Sequence, residues 1–490
     1  MCNSRKEKSK MTDNYDVVVI GGGLSGFAAA TEAADKSLKT LLVEKGRTTG
    51  GTGNYVEGVF AVQSKMQKQA GIDITPESIL QAELDYSHYE ANGLIWKKYI
   101  EHSAENIEWL EKHGVKFKDV VNMGSGFSTW HLFEGYGDKA IHDGLEPYIK
   151  SKGVEIKTLT RAEGLTTTSS GSFQLNLINV TDNSTQTISA KDVILATGGY
   201  LNNPELMANA HKYNPQKIVA VNSGKSTGDG LQMAWSVGAR KFFTGMTMNF
   251  GGQIYDKTNQ VPAYELSDWN LGSAVCDEPV LWINENGDRF VNEYDCVTNW
   301  ANEGNSMLRQ DRVFAIFDQK TIDDFTEKSF PLDLHPFYEL PNYPNLKKEI
   351  KVALDKKLSF ITVSDFIADL AEKISAPNLV ESINKYNKMA ATELDTDFGK
   401  PAKYLLPITQ GPFYALEMEV GAFTTGDGLK VNVNNEVIDN DGHEIKHLYA
   451  IGSDGSGVIY GDTYGVEVSG THAGYCIYSA RNAVDNIVKA

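Results

Sequence analysis

The sequence predicts an α/β fold in which a mostly parallel sheet is interrupted by an inserted α+β segment. An apolar strand pattern from Tyr15 is followed by a glycine-rich turn, a helical stretch and a second strand that ends at Glu44. Another buried strand pattern, from Ser189 to Tyr200, lies far downstream, and strand patterns return near the C-terminal end. Strands that alternate with helical patterns are typical of βαβ units and parallel sheets.

The length allows two or more packed domains, since the chain has 490 residues, of which 41% are hydrophobic and 22% charged. The range 15–240 includes a helical stretch from Asn92 to His113 and a β meander from Val154 to Ile188. After Lys241 the pattern changes to many aromatic residues with mixed helix and loop signals. We predict a disordered tail at 1–14, the first part of the sheet domain at 15–240, a cap at 241–410 and the return of the sheet domain at 411–490.

Composition excludes several classes of protein. The cysteines are Cys2, Cys276, Cys296 and Cys476, widely separated and without a CxxC pair, so no disulfide framework, iron–sulfur cluster or other metal site is expected. The net charge of -18 argues against nucleic acids and anionic membranes as partners. The first ten residues are charged, and the chain has no long apolar stretch. These features predict a cytoplasmic protein.

The turn after the first strand has the spacing Gly21-x-Gly23-x-x-Gly26. Between a strand and a helix, these glycines permit a tight turn, close approach of a pyrophosphate and close helix packing. The helix N-terminus then directs free N–H groups and a positive dipole end at the phosphates. Glu44 lies at roughly the spacing of 20 residues expected for the carboxylate that binds the adenosine ribose. The sequence therefore predicts a dinucleotide site.

A second glycine-rich loop favours FAD over NAD as the dinucleotide. It follows Glu44 and contains Gly50, Gly51, Thr52 and Gly53, so it is able to follow the pyrophosphate toward a flavin. The carboxylate of Glu44 disfavours the 2′-phosphate of NADP. No second GxGxxG follows a strand in the way expected of a separate NAD domain.

At this point the chain resembles the flavoproteins of the fumarate reductase and succinate dehydrogenase family, which includes the 3-ketosteroid dehydrogenases. The resemblance covers nearly the whole chain and rests on VVVIGGGLSG, VEKGRTTGGTGN, VILATGGY, STGDGLQMAWSVGA, NENGDRFVNE and LYAIGSDGSG, in the family's order. It implies a Rossmann-like FAD-binding domain that is split in sequence and interrupted by a cap. That cap would close over the isoalloxazine ring.

The resemblance also implies roles for individual residues. Thr197, Gly198 and Gly199 would lie beside the adenine half of FAD, with a backbone contact from Ala162. Asp229 and Asp454 would lie nearer the flavin. A helix that starts near Val468 and Ser469 would direct N–H groups at the N1 and O2 edge of the ring, where they stabilise the negative charge of the reduced flavin. Some relatives bind FAD covalently through a histidine in the glycine loop; this loop has none, which predicts noncovalent FAD.

The full set of residues predicted to bind the cofactor combines both glycine loops, the residues after the second strand and the positions implied by the resemblance. These residues are Gly21, Gly23, Leu24, Ser25, Gly26, Glu44, Lys45, Gly50, Gly51, Thr52, Gly53, Asn54, Ala162, Thr197, Gly198, Gly199, Asp229, Asp454, Val468 and Ser469.

The sequence departs from fumarate reductases at three positions of the substrate site. The position of the family's arginine proton donor falls near Val297. Thr424 and Thr463 occupy the positions of the histidine and arginine that hold the substrate carboxylates. A dicarboxylate without cationic partners would be strongly destabilised in a closed site. Fumarate and succinate are therefore poor candidates for the substrate.

A tyrosine-rich segment from Tyr460 to Gly465 takes the place of those residues and is similar to the GHTYPGPG stretch of 3-ketosteroid dehydrogenases. A phenol can donate a hydrogen bond to a ketone and stabilise developing enolate charge. Tyr464 is the first catalytic candidate. Tyr294 and Asp462 are further candidates, for which packing or capping is the alternative.

Other notable side chains have structural alternatives. Trp269, Trp282 and Trp300 could line the site of a flat substrate, but core packing is the favoured interpretation. His131 and His472 are interpreted as structural histidines.

The leading hypothesis is an FAD-dependent oxidoreductase, an ene-reductase, acting on a C=C or CH–CH bond beside a carbonyl. The substrate would be a neutral, bulky small molecule such as an enone, steroid or flavonoid-like ring system, and reduction is favoured over dehydrogenation. NADH, a reduced flavin or a redox protein would supply the electrons. The alternatives are an enoate reductase of a carboxylic acid, a flavin electron-transfer subunit and an amine or amino-acid oxidase.

Overall fold

The computed structural model describes residues 14–123, 126–169, 171–208, 212–258, 261–262, 266, 268–328 and 342–489. Cys2 and the predicted tail, apart from Asn14, lie outside the described residues. No helix in the described ranges combines the length and apolar character needed to cross a membrane.

The strands of the described chain are β1 (Asn14–Ile20), β2 (Thr40–Val43), β3 (Gly58–Phe60), β4 (Phe117–Val121), β5 (Trp130–Phe133), β6 (Glu155–Lys157), β7 (Thr160–Thr167), β8 (Phe173–Asn179), β9 (Thr185–Leu195), β10 (Ile218–Ala220), β11 (Lys241–Phe242), β12 (Thr247–Asp256), β13 (Val261–Pro262), β14 (Leu281–Asn284), β15 (Val313–Asp318), β16 (Ile361–Ser364), β17 (Phe413–Thr425), β18 (Gly428–Leu429), β19 (Glu436–Ile438) and β20 (Glu444–Ala450).

The helices are α1 (Leu24–Asp35), α2 (Lys65–Gln69), α3 (Pro76–Tyr86), α4 (Gly93–Lys112), α5 (Tyr136–Lys139), α6 (Glu146–Ser151), α7 (Pro204–Met207), α8 (Asp229–Ser236), α9 (Asn270–Cys276), α10 (Asp295–Thr298), α11 (Trp300–Met307), α12 (Gln319–Glu327), α13 (Leu346–Asp355), α14 (Ile367–Ile374), α15 (Leu379–Thr392), α16 (Gly457–Tyr460) and α17 (Thr471–Lys489). Short segments of tighter or wider helix lie at Gly51–Tyr55, Ala140–Leu145, Pro215–Lys217, Ala402–Tyr404 and Gly452–Gly455.

The first sheet has the order β19-β20-β9-β1-β2-β6 within the described chain, with β8 paired to β9 and β7 paired to β8. β1 pairs in parallel with β2 and β9, so that Val17 lies opposite Thr40 on one side and Asp192 on the other. β20 joins β9 in parallel, α1 packs against β1 and β2, and α17 packs beside α1. The valines of β1 are fully buried, as expected for a parallel strand covered on both faces.

These observations confirm the predicted α/β fold with a sheet domain that is split in sequence. The predicted strand–helix–strand unit is β1, α1 and β2, and the predicted helix from Asn92 is α4, with the Asn92 side chain accepting from the N–H groups of Leu94 and Ile95. The predicted meander corresponds to β7, β8 and the first part of β9, which pair antiparallel, whereas β6 pairs in parallel with β2.

A second sheet has the order β13-β12-β17-β15-β14 in the described chain, and β10 and β16 also pair with β17. The predicted range 411–490 thus begins with the central strand of this second sheet, and the chain re-enters the first sheet only at Glu436. Both faces of β17 are largely buried, so its apolar pattern did not indicate which sheet it joins. The division into domains stays a prediction.

The NENGDRFVNE motif has a structural role in the segment that carries the second sheet. Arg289 binds Glu293 with two nitrogens, at 2.7 and 2.6 Å, and binds Asp395 at 2.8 Å. Lys400 lies 3.5 Å from Glu293, and all four side chains are almost completely buried. Burial opposes ionisation of Asp395, but its hydrogen bond from Arg289 keeps its pKa well below the ordinary value. The network therefore joins two distant segments of the chain, 289–293 and 395–400, through paired charges.

We expect Arg289→Ala to lower the free energy of unfolding by about 3–5 kcal/mol, because it leaves two buried carboxylates without their main cation. Thermal and urea unfolding of the purified protein would measure the change. Lys351→Ala is a suitable control, since this lysine is 74% exposed and pairs with Asp355 on the surface; we expect a change below about 0.5 kcal/mol. Equal stability of the two variants would contradict the structural role of Arg289.

Candidate active site

A cleft opens where the C-terminal ends of β1, β2 and β9 meet, after Ile20, Val43 and Leu195. Ligands of open parallel sheets bind at this edge, where connections leave in opposite directions. The predicted cofactor residues that line the cleft are Gly21, Gly23, Leu24, Ser25, Glu44, Lys45, Gly51, Thr52, Gly53, Ala162, Thr197, Gly198, Asp229 and Ser469.

Six predicted cofactor residues lie behind this lining. The Asn54 side chain donates to the carbonyl of Thr49 at 3.4 Å and thereby braces the second glycine loop. Gly50 adopts a φ of 92°, a conformation that favours glycine. The other residues outside the lining are Gly26, Gly199, Asp454 and Val468.

The N-terminus of α1 meets the cleft without a capping side chain. Gly23 is the N-cap residue, makes no side-chain hydrogen bond, and is followed by no acidic residue in the first turn. The free N–H groups of this turn are therefore available to an anion. A Cβ at Gly26 would lie 1.9 Å from the carbonyl oxygen of Gly21, so only glycine permits this turn.

The acidic residue at the end of β2 is held in place by backbone N–H groups. Glu44 accepts from Gly22 at 2.9 Å and from Gly46 at 2.6 Å, and Lys225 lies 3.6 Å from its carboxylate. Lys45 is paired with Asp229 at 2.8 Å. Lys45 was predicted from the sequence, whereas Lys225 was not, because no motif contains it.

Asp454 supports the ATGG loop instead of lining the cleft. Its carboxylate accepts from the backbone and hydroxyl of Thr197 at 2.6 and 2.8 Å and from the N–H of Gly199 at 2.8 Å. The residue is completely buried. Burial raises the pKa of this carboxyl, and the hydrogen bonds from the loop oppose that shift.

The last helix begins slightly later than predicted, at Thr471 instead of near Val468 and Ser469. Ser469 lines the cleft, whereas Val468 is buried and forms a bridge with Phe127. A Cβ at Gly470 would lie 2.7 Å from the backbone nitrogen of Phe60, so the helix start is packed tightly against β3.

These features fit FAD. An uncapped helix N-terminus and two glycine loops suit the pyrophosphate, and Glu44 suits the ribose hydroxyls. The cleft continues from the ends of β1 and β2 to Ser469 and His472 beside the start of α17. His472 is nearly buried, and its Nδ1 atom has no hydrogen-bond partner in the described chain.

The remaining part of the cleft is mainly aromatic, and its one acidic residue among those described is Glu57. Phe250 and Phe423 stack with their ring centroids 4.2 Å apart, and Trp300 lies 6.4 Å from Phe250. Met123, Trp130 and Met248 complete this wall, to which Asn249 and Thr424 add polar side chains. We call these eight residues, with Tyr464 and Val466, the aromatic part; no lysine or arginine belongs to it among the described residues.

The cationic residues that line the cleft lie in its other part, and each has an acidic partner. Lys45 pairs with Asp229, Lys225 lies near Glu44, and Arg161 pairs with Glu163. Thr424 lines the cleft, and its hydroxyl donates to the carbonyls of Gly198 and Thr425. Thr463 accepts from Asn305 at 2.9 Å. The Val297 side chain lies outside what the structure describes.

Tyr464 is the catalytic candidate that lines the cleft. It is 5% exposed, its ring lies 5.4 Å from that of Tyr460, and its carbonyl accepts from the Tyr86 hydroxyl at 3.0 Å. Burial raises the pKa of its phenol far above the ordinary value, and the charge of Glu83 adds to that effect. Tyr464 is therefore a neutral hydrogen-bond donor at any physiological pH.

The other two catalytic candidates lie elsewhere. Tyr294 stacks on Tyr404 at 5.0 Å and packs against the core of the second sheet. Asp462 is paired with Lys212 at 2.9 Å, and its side chain is 45% exposed. Neither residue lines the cleft, so the contacts of both support packing or pairing instead of catalysis.

The histidines and tryptophans have different positions. His131 is buried between Ser64 Oγ at 2.6 Å and the Thr129 carbonyl at 3.0 Å, and burial lowers its pKa to about 4. Burial likewise lowers the pKa of His472 to about 4, so its imidazole is neutral where it lines the cleft. Trp300 lines the cleft, whereas Trp282 is buried in the core.

Glu57 is a further ionisable residue of the cleft that was not predicted from the sequence. Glu57 follows the second glycine loop and lines the cleft together with Trp130 and Tyr464. Burial raises the pKa of its carboxyl to about 7. No motif contains Glu57, and only its position in the fold indicates a role.

Fold and cleft define a flavoprotein, and the chain belongs to the FAD binding domain family, whose model matches residues 16–464. It is an FAD-dependent oxidoreductase that acts on a CH–CH bond or the corresponding C=C bond. The resemblance found in the sequence is thereby confirmed, as is FAD as the cofactor.

Two curated relatives and one solved structure illustrate the similarity. Vinyl phenol reductase of Lactiplantibacillus plantarum is 42% identical over 475 residues, which cover 96% of each chain. NADH:fumarate oxidoreductase of Klebsiella pneumoniae is 25% identical over 484 residues; the match covers 94% of this chain but 47% of that protein. The 3-ketosteroid-Δ4-(5α)-dehydrogenase from Rhodococcus jostii RHA1 has a TM-score of 0.72 and 22% identity, with 99% of each chain covered.

We expect Asp454→Asn to weaken FAD binding about 10- to 100-fold, because an amide nitrogen would face the N–H groups that the carboxylate now accepts. Flavin fluorescence quenching on titration of the apoprotein would measure the affinity. Asp439→Asn is the matched control, since that carboxylate also accepts backbone N–H groups but lies outside the cleft. Unchanged FAD affinity in Asp454→Asn would show that the loop does not depend on this carboxylate.

Proposed function

We propose that this flavoenzyme reduces the C=C bond of a neutral aromatic alkene, of which 4-vinylphenol is the simplest example and a ring-bearing enone a close variant. The observation that carries the proposal is the aromatic part of the cleft, which has stacked rings and no lysine or arginine among its described residues. The match to vinyl phenol reductase over 96% of both chains supports the same substrate class.

Aromatic side chains favour a flat apolar ring, since offset stacking and burial both stabilise it. Phe250, Phe423 and Trp300 would hold the substrate ring and exclude water from the reacting carbons. A carboxylate would lose its hydration in this part of the cleft without gaining a cationic partner. The enoate reductase of a carboxylic acid is therefore the less favoured alternative.

Tyr464 would donate a hydrogen bond to the oxygen conjugated with the double bond, either a phenol or a carbonyl oxygen. In a ring-bearing enone, hydride addition places developing negative charge on the carbonyl oxygen, and a fixed donor in a dry site stabilises it. In 4-vinylphenol the same hydrogen bond would hold the phenol oxygen and so orient the ring. Reduced FAD, when bound, supplies a hydride to the substrate. The chain's own residues hold the substrate ring, its oxygen and the proton that completes the reduction.

Several finer properties belong to this proposal. Noncovalent FAD agrees with the absence of histidine from residues 50–54. Cys276, Cys296 and Cys476 are free and buried, which is compatible with the proposed cytoplasmic location. NADH, a reduced flavin or a redox protein would supply the electrons.

We expect the dithionite-reduced protein, kept anaerobic, to be reoxidised by 4-vinylphenol at least ~100-fold faster than by fumarate, because the dicarboxylate lacks cationic partners. Recovery of flavin absorbance in a stopped-flow instrument measures both rates, and reduced protein without acceptor is the control. Fumarate acting as fast as 4-vinylphenol would refute the proposed substrate class.

We expect Tyr464→Phe to lower kcat for a ring-bearing enone about 100-fold with little change in KM, because it removes one hydrogen-bond donor to the developing enolate oxygen. Steady-state kinetics with a chemical reductant would measure it. Tyr460→Phe is the matched control: this buried tyrosine neighbours Tyr464 but does not line the cleft. If Tyr464→Phe were as active as Tyr460→Phe, the proposed role of Tyr464 as hydrogen-bond donor would be excluded.

A further inference from the structure

Glu57 differs from the other two acidic residues that line the cleft. Glu44 lies near Lys225, and Asp229 is paired with Lys45. Glu57 has no lysine or arginine partner among the described residues, although it lines the same cleft. A carboxyl group in a cleft without a cationic partner is easily kept protonated, because burial disfavours its charged form.

The backbone around Glu57 is held on both sides. The N–H of Gly137 donates to the carbonyl of Val56 at 2.7 Å, and the N–H of Phe133 donates to the carbonyl of Glu57 at 2.8 Å. Gly58 then begins β3, where a Cβ would lie 2.2 Å from the carbonyl oxygen of His131. The backbone that carries the half-buried side chain of Glu57 is thus held in place in the cleft wall.

Glu57 and Tyr464 belong to one part of the cleft. Both line it, and the charge of Glu57 contributes to the raised pKa of the Tyr464 phenol. Glu83 contributes in the same way but does not line the cleft. Of the acidic residues that raise the pKa of Tyr464, Glu57 is therefore the one that lines the cleft among the described residues.

The two groups have different acidities. Burial keeps the phenol of Tyr464 protonated far above neutral pH, so it can hydrogen-bond but gives up a proton reluctantly. Burial brings the pKa of Glu57 to about 7. A general acid works best when its pKa lies near the working pH.

Resting on the proposed function, we propose that Glu57 is the proton donor of this reductase. The π bond of the C=C group breaks and two C–H bonds form: one carbon receives the proton from the Glu57 carboxyl group, the other a hydride from reduced flavin. The substrate gains two electrons and the flavin is left oxidised. Glu57 is left as a carboxylate and recovers a proton from water.

Glu57→Gln tests this role, because the amide keeps the size of the side chain but has no acidic proton. We expect kcat for 4-vinylphenol to fall at least ~100-fold, the contribution typical of a general acid. Glu57→Asp keeps a carboxyl group at a shorter reach. We expect its kcat to lie between that of the wild type and that of Glu57→Gln. Glu134→Gln is the control. Its carboxyl group is exposed and directly follows β5, the strand whose Phe133 N–H donates to the carbonyl of Glu57.

A binding measurement on the oxidised holoenzyme separates this role from a structural one. Perturbation of the flavin spectrum reports binding of 4-ethylphenol, which cannot be reduced, and of 3-(4-hydroxyphenyl)propanoate, its carboxylate analogue. In the wild type, we expect the carboxylate to bind about tenfold more weakly as pH rises through 7, because ionised Glu57 repels it. Glu57→Gln should remove that dependence and leave 4-ethylphenol binding within about threefold.

The titratable side chains on the elements packed around Glu57 are the other possible sources of such a pH dependence. They include Tyr55, His131, Tyr136, Asp138, Lys139, Tyr464 and His472. His131 and His472 stay neutral near pH 7, because burial lowers the pKa of each to about 4. Any pH dependence of carboxylate binding that persists in Glu57→Gln would belong to one of the other side chains, and the part that is lost belongs to Glu57.

Glu57→Gln that reduces 4-vinylphenol as fast as the wild type would overturn the role of Glu57 alone. An equal loss of rate and of 4-ethylphenol binding would overturn it as well, in favour of a structural role. A wild-type protein that neither binds 4-ethylphenol nor reduces 4-vinylphenol would overturn the proposed function and this inference with it.

Discussion

The close approach of the chain to itself where β1 and β9 end is the constraint on which the cleft depends. A Cβ at Gly21 would lie 2.1 Å from the carbonyl oxygen of Ala196, and one at Gly26 would lie 1.9 Å from that of Gly21. Only glycine permits both contacts. They bring the uncapped start of α1 and the ATGG loop to the same edge of the sheet, where Asp454 fixes the loop from behind.

Charge is distributed unevenly along the cleft, and this distribution separates two tasks. Paired ions around Glu44 and Asp229 surround the part suited to a dinucleotide. The aromatic part has stacked rings, a neutral phenol and neutral hydroxyl and amide groups, with the carboxyl group of Glu57 near the phenol. An unpaired buried charge is costly, so such a surface disfavours binding of anionic substrates. This discrimination does not depend on contacts that distinguish one neutral substrate from another.

Motifs shared with a family do not all serve the reaction. Arg289 and Glu293 lie in the motif NENGDRFVNE, yet both side chains are buried in an ion network with Asp395, far along the chain. Tyr294 directly follows that motif and packs on Tyr404. Glu57, which belongs to no motif, lines the cleft beside Tyr464. A residue's place in the fold therefore decides its chemistry more directly than its place in a conspicuous segment.

The sequence by itself determined the features that depend on neighbours along the chain. The βαβ unit, the two glycine loops and α4 follow from local periodicity, turn chemistry and capping, so they could be predicted. Tertiary structure decided the rest. The sheet joined by β17, the contacts of Tyr294 and Asp462, the stacking of Phe250 on Phe423 and the position of Glu57 depend on residues far apart in sequence. The local sequence around an apolar or acidic residue does not indicate which distant residues it will contact. Those contacts are determined by how the elements pack together.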